Sequence, residues 1–145
     1  MLDKMRCFVY CRVGNYEQLR GKGLKVVCYA RSTEKKQMNR QVEALLRYCD
    51  EKGYAVIAVK KESSKGRLRF RFGLKSAIKF QGADAIVVES MSKISRVPQI
   101  AIKLMDLIYK EKKFLIAADV DKVIHKGLGD ETIQEIIMHS AIKSQ

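Results

Sequence analysis

The chain has 145 residues, of which 29 are Lys or Arg and 16 are Asp or Glu, so its formal net charge is +13. A chain of this length suits one domain, and its 47% of hydrophobic residues excludes an intrinsically disordered protein. No apolar run approaches the roughly 20 residues that cross a bilayer, and Met1 to Tyr10 lacks a signal-peptide pattern. We therefore expect a soluble, cytoplasmic protein with no membrane partner.

The cysteine spacing does not favour a metal site. Cys7, Cys11, Cys28 and Cys49 form no C-x-x-C pair, and the chain has two His. The first three fall in strand-like runs, where a free thiol usually packs as a small apolar group. We expect no metal and no other cofactor.

The first half of the chain alternates strand and helix. An apolar, β-branched run at Lys25 to Ala30 predicts a buried strand, and apolar residues at helical spacing predict a helix over Asn39 to Lys52. Gly53 ends that helix. Tyr54 to Val59 predicts a second strand, and Lys60 to Arg71 is then a basic loop.

The second half repeats the alternation. In chain order, the pattern predicts a short helix that buries Leu74, Ala77 and Ile78 and ends by Gly82, a strand over Ala83 to Val88, a helix begun by Pro98, a strand over Phe114 to Ala118 and a last helix capped by Asp130. Nearly all-apolar strands that alternate with helices predict a mostly parallel sheet. The expected fold class is α/β, a three-layer fold with about four to five strands and helices on both faces.

Basic residues cluster between Lys65 and Lys79, where six Lys or Arg occur without an acid. The high net charge and this cluster favour a polyanionic partner, because cations near a phosphate backbone release condensed counterions. The candidate nucleic-acid-binding residues are Lys65, Arg67, Arg69 and Lys75. The alternative is a solvated charged loop that keeps the protein soluble.

Two polar clusters follow predicted strands. The first contains Arg31, Ser32, Thr33 and Gln37, and the second contains Ser90, Ser92, Lys93, Ser95 and Arg96. The carboxyl ends of parallel strands are where open α/β sheets bind ligands, and basic groups beside a hydroxyl suit phosphoryl transfer. The alternative is that these are ordinary polar loop residues.

One motif occurs twice. Tyr10, Arg12 and Gln18 recur as Tyr29, Arg31 and Gln37, with an offset of 19 residues. We interpret the pair as a strand and its following loop written twice, against the alternative of chance similarity. The first copy is then an extra edge strand, a strand swapped in a dimer or a relic.

Four tracts, in order, carry a family resemblance: YARST with Gln37, RFGL at Arg71 to Leu74, GADAIVVESMSKISR at Gly82 to Arg96, and FLIAAD followed by a capped helix. Together they resemble the N-terminal catalytic domain of the serine recombinases, the resolvase and invertase family, over about residues 25–145. The resemblance implies a serine that attacks a DNA phosphodiester to give a 5′-phosphoserine link, with arginines stabilising the transition state and no metal. Residues 1–24 are then an N-terminal extension that carries the first copy of the motif.

The family's functional residues match in part. Arg31, Arg71, Arg96 and Gln37 stand at the family's arginine and glutamine positions.

Three positions depart from the family pattern. Thr33 occupies the nucleophile position and Ser32 comes one residue early, Lys93 replaces an arginine, and Ser92 is a variant that larger members tolerate. A threonine methyl crowds in-line attack, and lysine lacks the planar fork that grips two phosphate oxygens. We therefore expect a weakened or inactive catalytic site on an intact fold.

The family's architecture sets further expectations. Its last catalytic-domain helix mediates dimerisation and leads to a DNA-binding domain, so we expect a homodimer or higher oligomer on DNA, without that second domain in these 145 residues. The alternative function is a catalytically inactive DNA-binding or recombinase-partner module with the same fold. A small nucleotide-binding or phosphotransfer enzyme is disfavoured, because neither G-x-G-x-x-G nor a P-loop occurs.

Overall fold

The computed structural model describes residues 23–63 and 72–143. Within them the elements, in chain order, are β1 (Lys25–Ser32), α1 (Lys35–Lys52), β2 (Ala55–Ser63), α2 (Phe72–Lys79), β3 (Ala85–Val88), α3 (Pro98–Lys110), β4 (Phe114–Ala117), β5 (Lys122–Val123) and α4 (Asp130–Lys143). Short 3-10 helices occupy Met91–Lys93 and Lys126–Leu128. The predicted alternation of strands and helices is confirmed.

The strands form one sheet with the order β2-β1-β3-β4-β5. β1 pairs in parallel with both β2 and β3, and β3 pairs in parallel with β4, while β5 pairs antiparallel with β4. The mostly parallel sheet is therefore confirmed, and the carboxyl ends of β1, β2, β3 and β4 meet at one edge.

Alternate residues of β1 face two separate hydrophobic clusters. Val27 and Tyr29 pack in the cluster that contains buried residues of α2, α3 and α4. Val26 and Cys28 pack in the other cluster, with buried residues of α1. Because successive strand residues point to opposite faces, the sheet is covered on both sides, and the three-layer fold class is confirmed.

Two predicted boundaries were wrong by four residues each, and the other strand ends differ by no more than two residues. The first helix begins at Lys35 rather than Asn39. Apolar periodicity did not detect its first turn, because the residues there are polar apart from the buried Met38. β2 continues to Ser63, into the predicted loop, because its last residues pair with β1, with Glu62 opposite Arg31. Pairing with a neighbouring strand thus outweighs the unfavourable composition of a lysine-rich segment. The rest of that predicted loop lies outside the described residues.

Three other predicted features are confirmed. α1 ends at Gly53, whose φ of 76° is in the left-handed region and whose N–H bonds to the carbonyl oxygen of Asp50 at 3.1 Å. α2 buries the predicted residues Leu74, Ala77 and Ile78. Pro98 is the first residue of α3.

Cys28 and Cys49 are free, fully buried thiols with their Sγ atoms 3.6 Å apart. The hydrogen bond to Cys49, together with burial, raises the pKa of Cys28, so this thiol stays protonated at neutral pH. The prediction that Cys28 packs as a small apolar group is confirmed. Cys7 and Cys11 lie outside the described residues, as does the first copy of the repeated motif.

The helices that the structure describes include none with both the length and the apolar character to cross a membrane.

Candidate active site at the carboxyl edge of the sheet

A cavity of about 500 Å³ opens where β1 and β3 end. Its lining residues come from the β1–α1 connection and from the segment after β3: Arg31, Ser32, Thr33, Gln37, Ser92, Lys93, Ser95 and Arg96. The pairing of β1 with β3 runs to Tyr29 and Val88, while β1 itself continues to Ser32. The end of β1, which is no longer paired with β3, and the residues that follow β3 therefore enclose a space between them. We call this space the catalytic cavity, after the predicted catalytic residues that line it.

Gln41 of α1 fixes the backbone of Arg31. Its Oε1 accepts a hydrogen bond from the Arg31 N–H at 2.9 Å, and its Nε2 donates to the Arg31 carbonyl oxygen at 3.0 Å. The Gln41 side chain is only 4% exposed, so these bonds form away from competing water. Arg31 is thereby held at the end of β1 by a side chain that no predicted motif contains. The signal for it was a polar residue on the buried stripe of α1, between Met38 and Leu45.

The two neighbouring hydroxyl residues have different environments. Ser32 is 7% exposed, and its Oγ accepts from the Glu34 N–H at 3.2 Å and lies 3.4 Å from Oε1 of Gln37. Thr33 is exposed and also lines the cavity. The Ser32 hydroxyl therefore closes the turn into α1, whereas Thr33 is the residue that an incoming molecule reaches.

The segment after β3 is fixed by its serines. Ser90 Oγ and Ser92 Oγ are 2.7 Å apart, and Ser95 Oγ accepts from the Val97 N–H at 3.1 Å, just before α3. These serines are buried. The 3-10 turn that carries Lys93 and leads to Arg96 is thus held by its own side chains.

Of the residues within 23–63 and 72–143, three cationic ones line the catalytic cavity: Arg31, Lys93 and Arg96. Arg96 is exposed, while Lys93 is half-buried with its Nζ 4.0 Å from Oε1 of Glu89. Cations fixed around a polar cavity stabilise an anion and the charge that develops during phosphoryl transfer. The described residues contain no cluster of three His, Cys, Asp or Glu side chains arranged to hold a metal ion.

A buried carboxylate links β1, β2 and α2 beside the cavity. Glu62, 8% exposed, accepts a hydrogen bond from the fully buried Tyr29 hydroxyl, and its Oε2 accepts from the Gly73 N–H at 2.9 Å. A Cβ at Gly73 would lie 3.1 Å from the Glu62 Cβ, so a side chain at that position requires a shift. Glu62 therefore fixes the first turn of α2, and sequence reasoning missed it because it stands in a run of basic residues.

The structure brings together seven of the eight predicted catalytic residues, and it adds Ser95 to the cavity lining. The seven are Arg31, Ser32, Thr33, Gln37, Ser92, Lys93 and Arg96. The eighth, Arg71, lies outside the described residues, as do Lys65, Arg67 and Arg69. Lys75 is exposed on α2 and does not line this cavity. The catalytic and DNA-binding roles of all these residues remain predictions.

Solved structures share this fold. The chain is similar to the C-terminal catalytic domain of ISC1926 TnpA, an IS607-like serine recombinase, with 23% identity, a TM-score of 0.58 and coverage of 65% of this chain and 70% of that chain. It is similar to the N-terminal catalytic domain of TP901-1 integrase, with 20% identity, a TM-score of 0.62 and coverage of 83% and 94%. It is also similar to a resolvase family site-specific recombinase from Streptococcus pneumoniae, with 13% identity, a TM-score of 0.59 and coverage of 83% of this chain and 87% of that chain.

At these identities the similarity establishes the fold. No curated protein is significantly similar to the chain in sequence. The family model described as the resolvase N-terminal domain matches residues 26–141, which is most of the chain. The order of the chain's motifs, its sheet topology and the solved structures that share its fold agree with this match. The chain belongs to the resolvase family of serine recombinases through this domain.

Proposed function

We propose that the chain is the catalytic domain of a site-specific DNA recombinase, which cleaves and exchanges DNA strands through a hydroxyl nucleophile. The observation that supports this most strongly is the catalytic cavity, which combines hydroxyls at the end of β1 with the cations Arg31, Lys93 and Arg96. Family membership supports the same reaction. As the family resemblance implies, the working form is a homodimer or higher oligomer on DNA.

The reaction is a transesterification. The hydroxyl oxygen attacks a backbone phosphorus, and the bond from phosphorus to the 3′ oxygen breaks. The nucleophile loses its proton to solvent, and the departing 3′ oxygen takes up a proton to become a free 3′ hydroxyl. The protein is left joined to the 5′ phosphate, and the reverse attack by a 3′ hydroxyl reseals the strand.

Thr33 is the proposed nucleophile. It is exposed within the cavity and occupies the family's nucleophile position, whereas the Ser32 hydroxyl is engaged in the turn with Glu34 and Gln37. A hydroxyl oxygen that already accepts a backbone hydrogen bond has one of its two lone pairs engaged, so it is a weaker nucleophile than a hydroxyl without that bond. Ser32 then acts by holding the turn that presents Thr33.

The cationic residues stabilise charge on the phosphate oxygens. We propose that Arg31, whose backbone Gln41 fixes, and Arg96 donate to the transferring phosphate, and that Arg71 adds a further guanidinium, as the family resemblance implies. Lys93 supplies one charge without the bidentate fork. Gln37 and Ser92 are polar groups of the lining that we propose orient the nucleophile and the phosphate.

A second candidate function is a catalytically inactive DNA-binding or recombinase-partner module. Two observations favour it. Lys93 lies 4.0 Å from the Glu89 carboxylate, which offsets part of its charge, and the Ser32 hydroxyl is hydrogen-bonded within the β1–α1 turn. Both candidates bind DNA. They differ in whether a covalent link to DNA forms.

Formation of that link tests the proposal. Purified protein incubated with labelled supercoiled and duplex DNA is expected to give a DNA-linked species that survives denaturation, at a low rate. The Ser32→Ala/Thr33→Ala double variant is expected to lose it, because no hydroxyl then remains at the end of β1. The exposed pair Ser76→Ala/Thr132→Ala, on α2 and α4, is the matched control and should retain it. A DNA-linked species of equal yield from the Ser32/Thr33 variant would contradict the proposal.

A further inference from the structure

A second cavity, of about 360 Å³, lies on the opposite side of the β1 end from the catalytic cavity. Both cavities include Ser32 and Thr33. The second also contains residues from the carboxyl end of β2, Lys61 and Ser63, and from the start of α1, Lys35 and Asn39. β1 lies between β3 and β2 in the sheet, and Ser63 is directly opposite Ser32. The two cavities therefore flank Thr33, one toward β3 and one toward β2.

The second cavity is cationic. Lys35 and Lys61 are both exposed on its lining, and neither forms an ion pair with an acid in the part of the chain that the structure describes. Asn39 adds an amide one turn after Lys35. Among the residues that the structure describes, Glu34 is the single acid in the lining, and the first turn of α1 contains none. The lining thus has a net positive charge outside the site already described.

The spacing of the cavities fits one DNA strand. Neighbouring strands of a sheet lie about 4.8 Å apart, so the cavities on either side of β1 are separated by about 5 to 10 Å. Phosphates two nucleotides apart on one DNA strand are about 7 Å apart along the helix axis. A strand laid across the carboxyl edge of the sheet, with one phosphate at Thr33, places the phosphate two nucleotides away over the second cavity.

We propose that this second cavity is a flanking-phosphate site, in which Lys35 and Lys61 bind a DNA backbone phosphate close to the one that Thr33 attacks. The inference rests on the proposed function, because it requires DNA in the catalytic cavity. Lys35 and Lys61 contribute affinity without sequence preference, since phosphate contacts position the DNA and do not read its bases.

Salt-dependent binding of the 145-residue chain to a fluorescein-labelled duplex of mixed sequence tests the proposal. Each neutralised phosphate contributes about 0.9 to the slope of log affinity against log salt. Because Lys35 and Lys61 bind one phosphate, Lys35→Gln/Lys61→Gln should lower the slope by about 0.9. Between 50 and 200 mM salt, the wild-type affinity should then fall about 3.5-fold more than that of the variant. Glu34→Gln should raise the affinity for the duplex about two- to fivefold, since it removes a negative charge that repels the phosphate.

The matched control is Lys103→Gln/Lys110→Gln, which removes two exposed lysines from α3 and should leave the slope unchanged. Arg96→Gln serves as the comparison for the catalytic cavity. Equal slopes for the Lys35/Lys61 variant and the control, with a reduced slope for Arg96→Gln, would overturn the flanking-phosphate site and leave the proposed function intact. No salt-dependent binding by the wild-type chain would overturn both.

Discussion

The Thr33→Ser/Lys93→Arg variant is expected to cleave DNA faster than the wild-type chain by on the order of a hundredfold or more. Serine removes the methyl group that restricts the threonine rotamers and crowds an in-line approach to phosphorus. Arginine replaces a point charge with a planar fork that donates to two phosphate oxygens. The guanidinium has five N–H donors, so it can bind the phosphate while it remains close to the Glu89 carboxylate, which lies 4.0 Å from Lys93 Nζ.

Single-turnover accumulation of the DNA-linked species measures this gain. The control variant is Thr132→Ser/Lys103→Arg, which makes the same two changes at exposed positions of α4 and α3 and should keep the wild-type rate. Each single change, Thr33→Ser or Lys93→Arg, should account for part of the gain. A Thr33/Lys93 variant that binds DNA as tightly as wild type but cleaves no faster would show that these two residues do not limit the reaction.

Glu62→Ala is expected to lower the free energy of unfolding by about 3 kcal/mol. The change removes the acceptor of both the buried Tyr29 hydroxyl and the Gly73 N–H, and it leaves a void against Gly73. A buried donor left without its acceptor costs about 1 to 3 kcal/mol. Glu62→Gln keeps the shape and one strong acceptor, so its loss should be nearer 1 kcal/mol.

Urea unfolding followed by circular dichroism checks this prediction. Glu43→Ala, on the exposed face of α1, is the matched control and should change the stability by less than about 0.5 kcal/mol. At about 2 to 4 °C per kcal/mol for a domain of this size, Glu62→Ala should also lower Tm by about 6 to 12 °C. If Glu62→Ala and Glu43→Ala have equal effects, the carboxylate does not stabilise the junction of β1, β2 and α2.

Periodicity and strand order account for the parts of the fold that the sequence predicts well. The apolar runs of β1 and β3 are buried on both faces of a parallel sheet, so hydrophobicity alone locates them. Since parallel strands end at one edge, the polar residues that follow these strands were expected to meet, and Arg31 and Arg96 do line one cavity. The meeting of these polar residues thus follows from the local sequence and one topological rule.

The features that sequence reasoning missed depend on contacts between distant segments. Gln41 and Glu62 are polar residues whose partners, Arg31 and Gly73, lie 10 and 11 positions away, and neither spacing corresponds to a local motif. The end of β2 is lysine-rich and forms a strand only because β1 pairs with it there. The different environments of Ser32 and Thr33 depend on the hydrogen bond from the Glu34 N–H, which requires the actual turn.

Mapping the site of covalent attachment tests most directly the claim that Thr33 attacks DNA. The Thr33→Ser/Lys93→Arg variant and the wild-type chain would be incubated with duplex DNA and then digested with nuclease and protease. Mass spectrometry would then detect a nucleotide joined through its 5′ phosphate to the peptide that contains residues 32 and 33. We expect a 5′ phosphate linked to residue 33 in both proteins, in larger yield from the variant. An adduct on Ser32, or none in either protein under conditions where both bind the DNA, would contradict it.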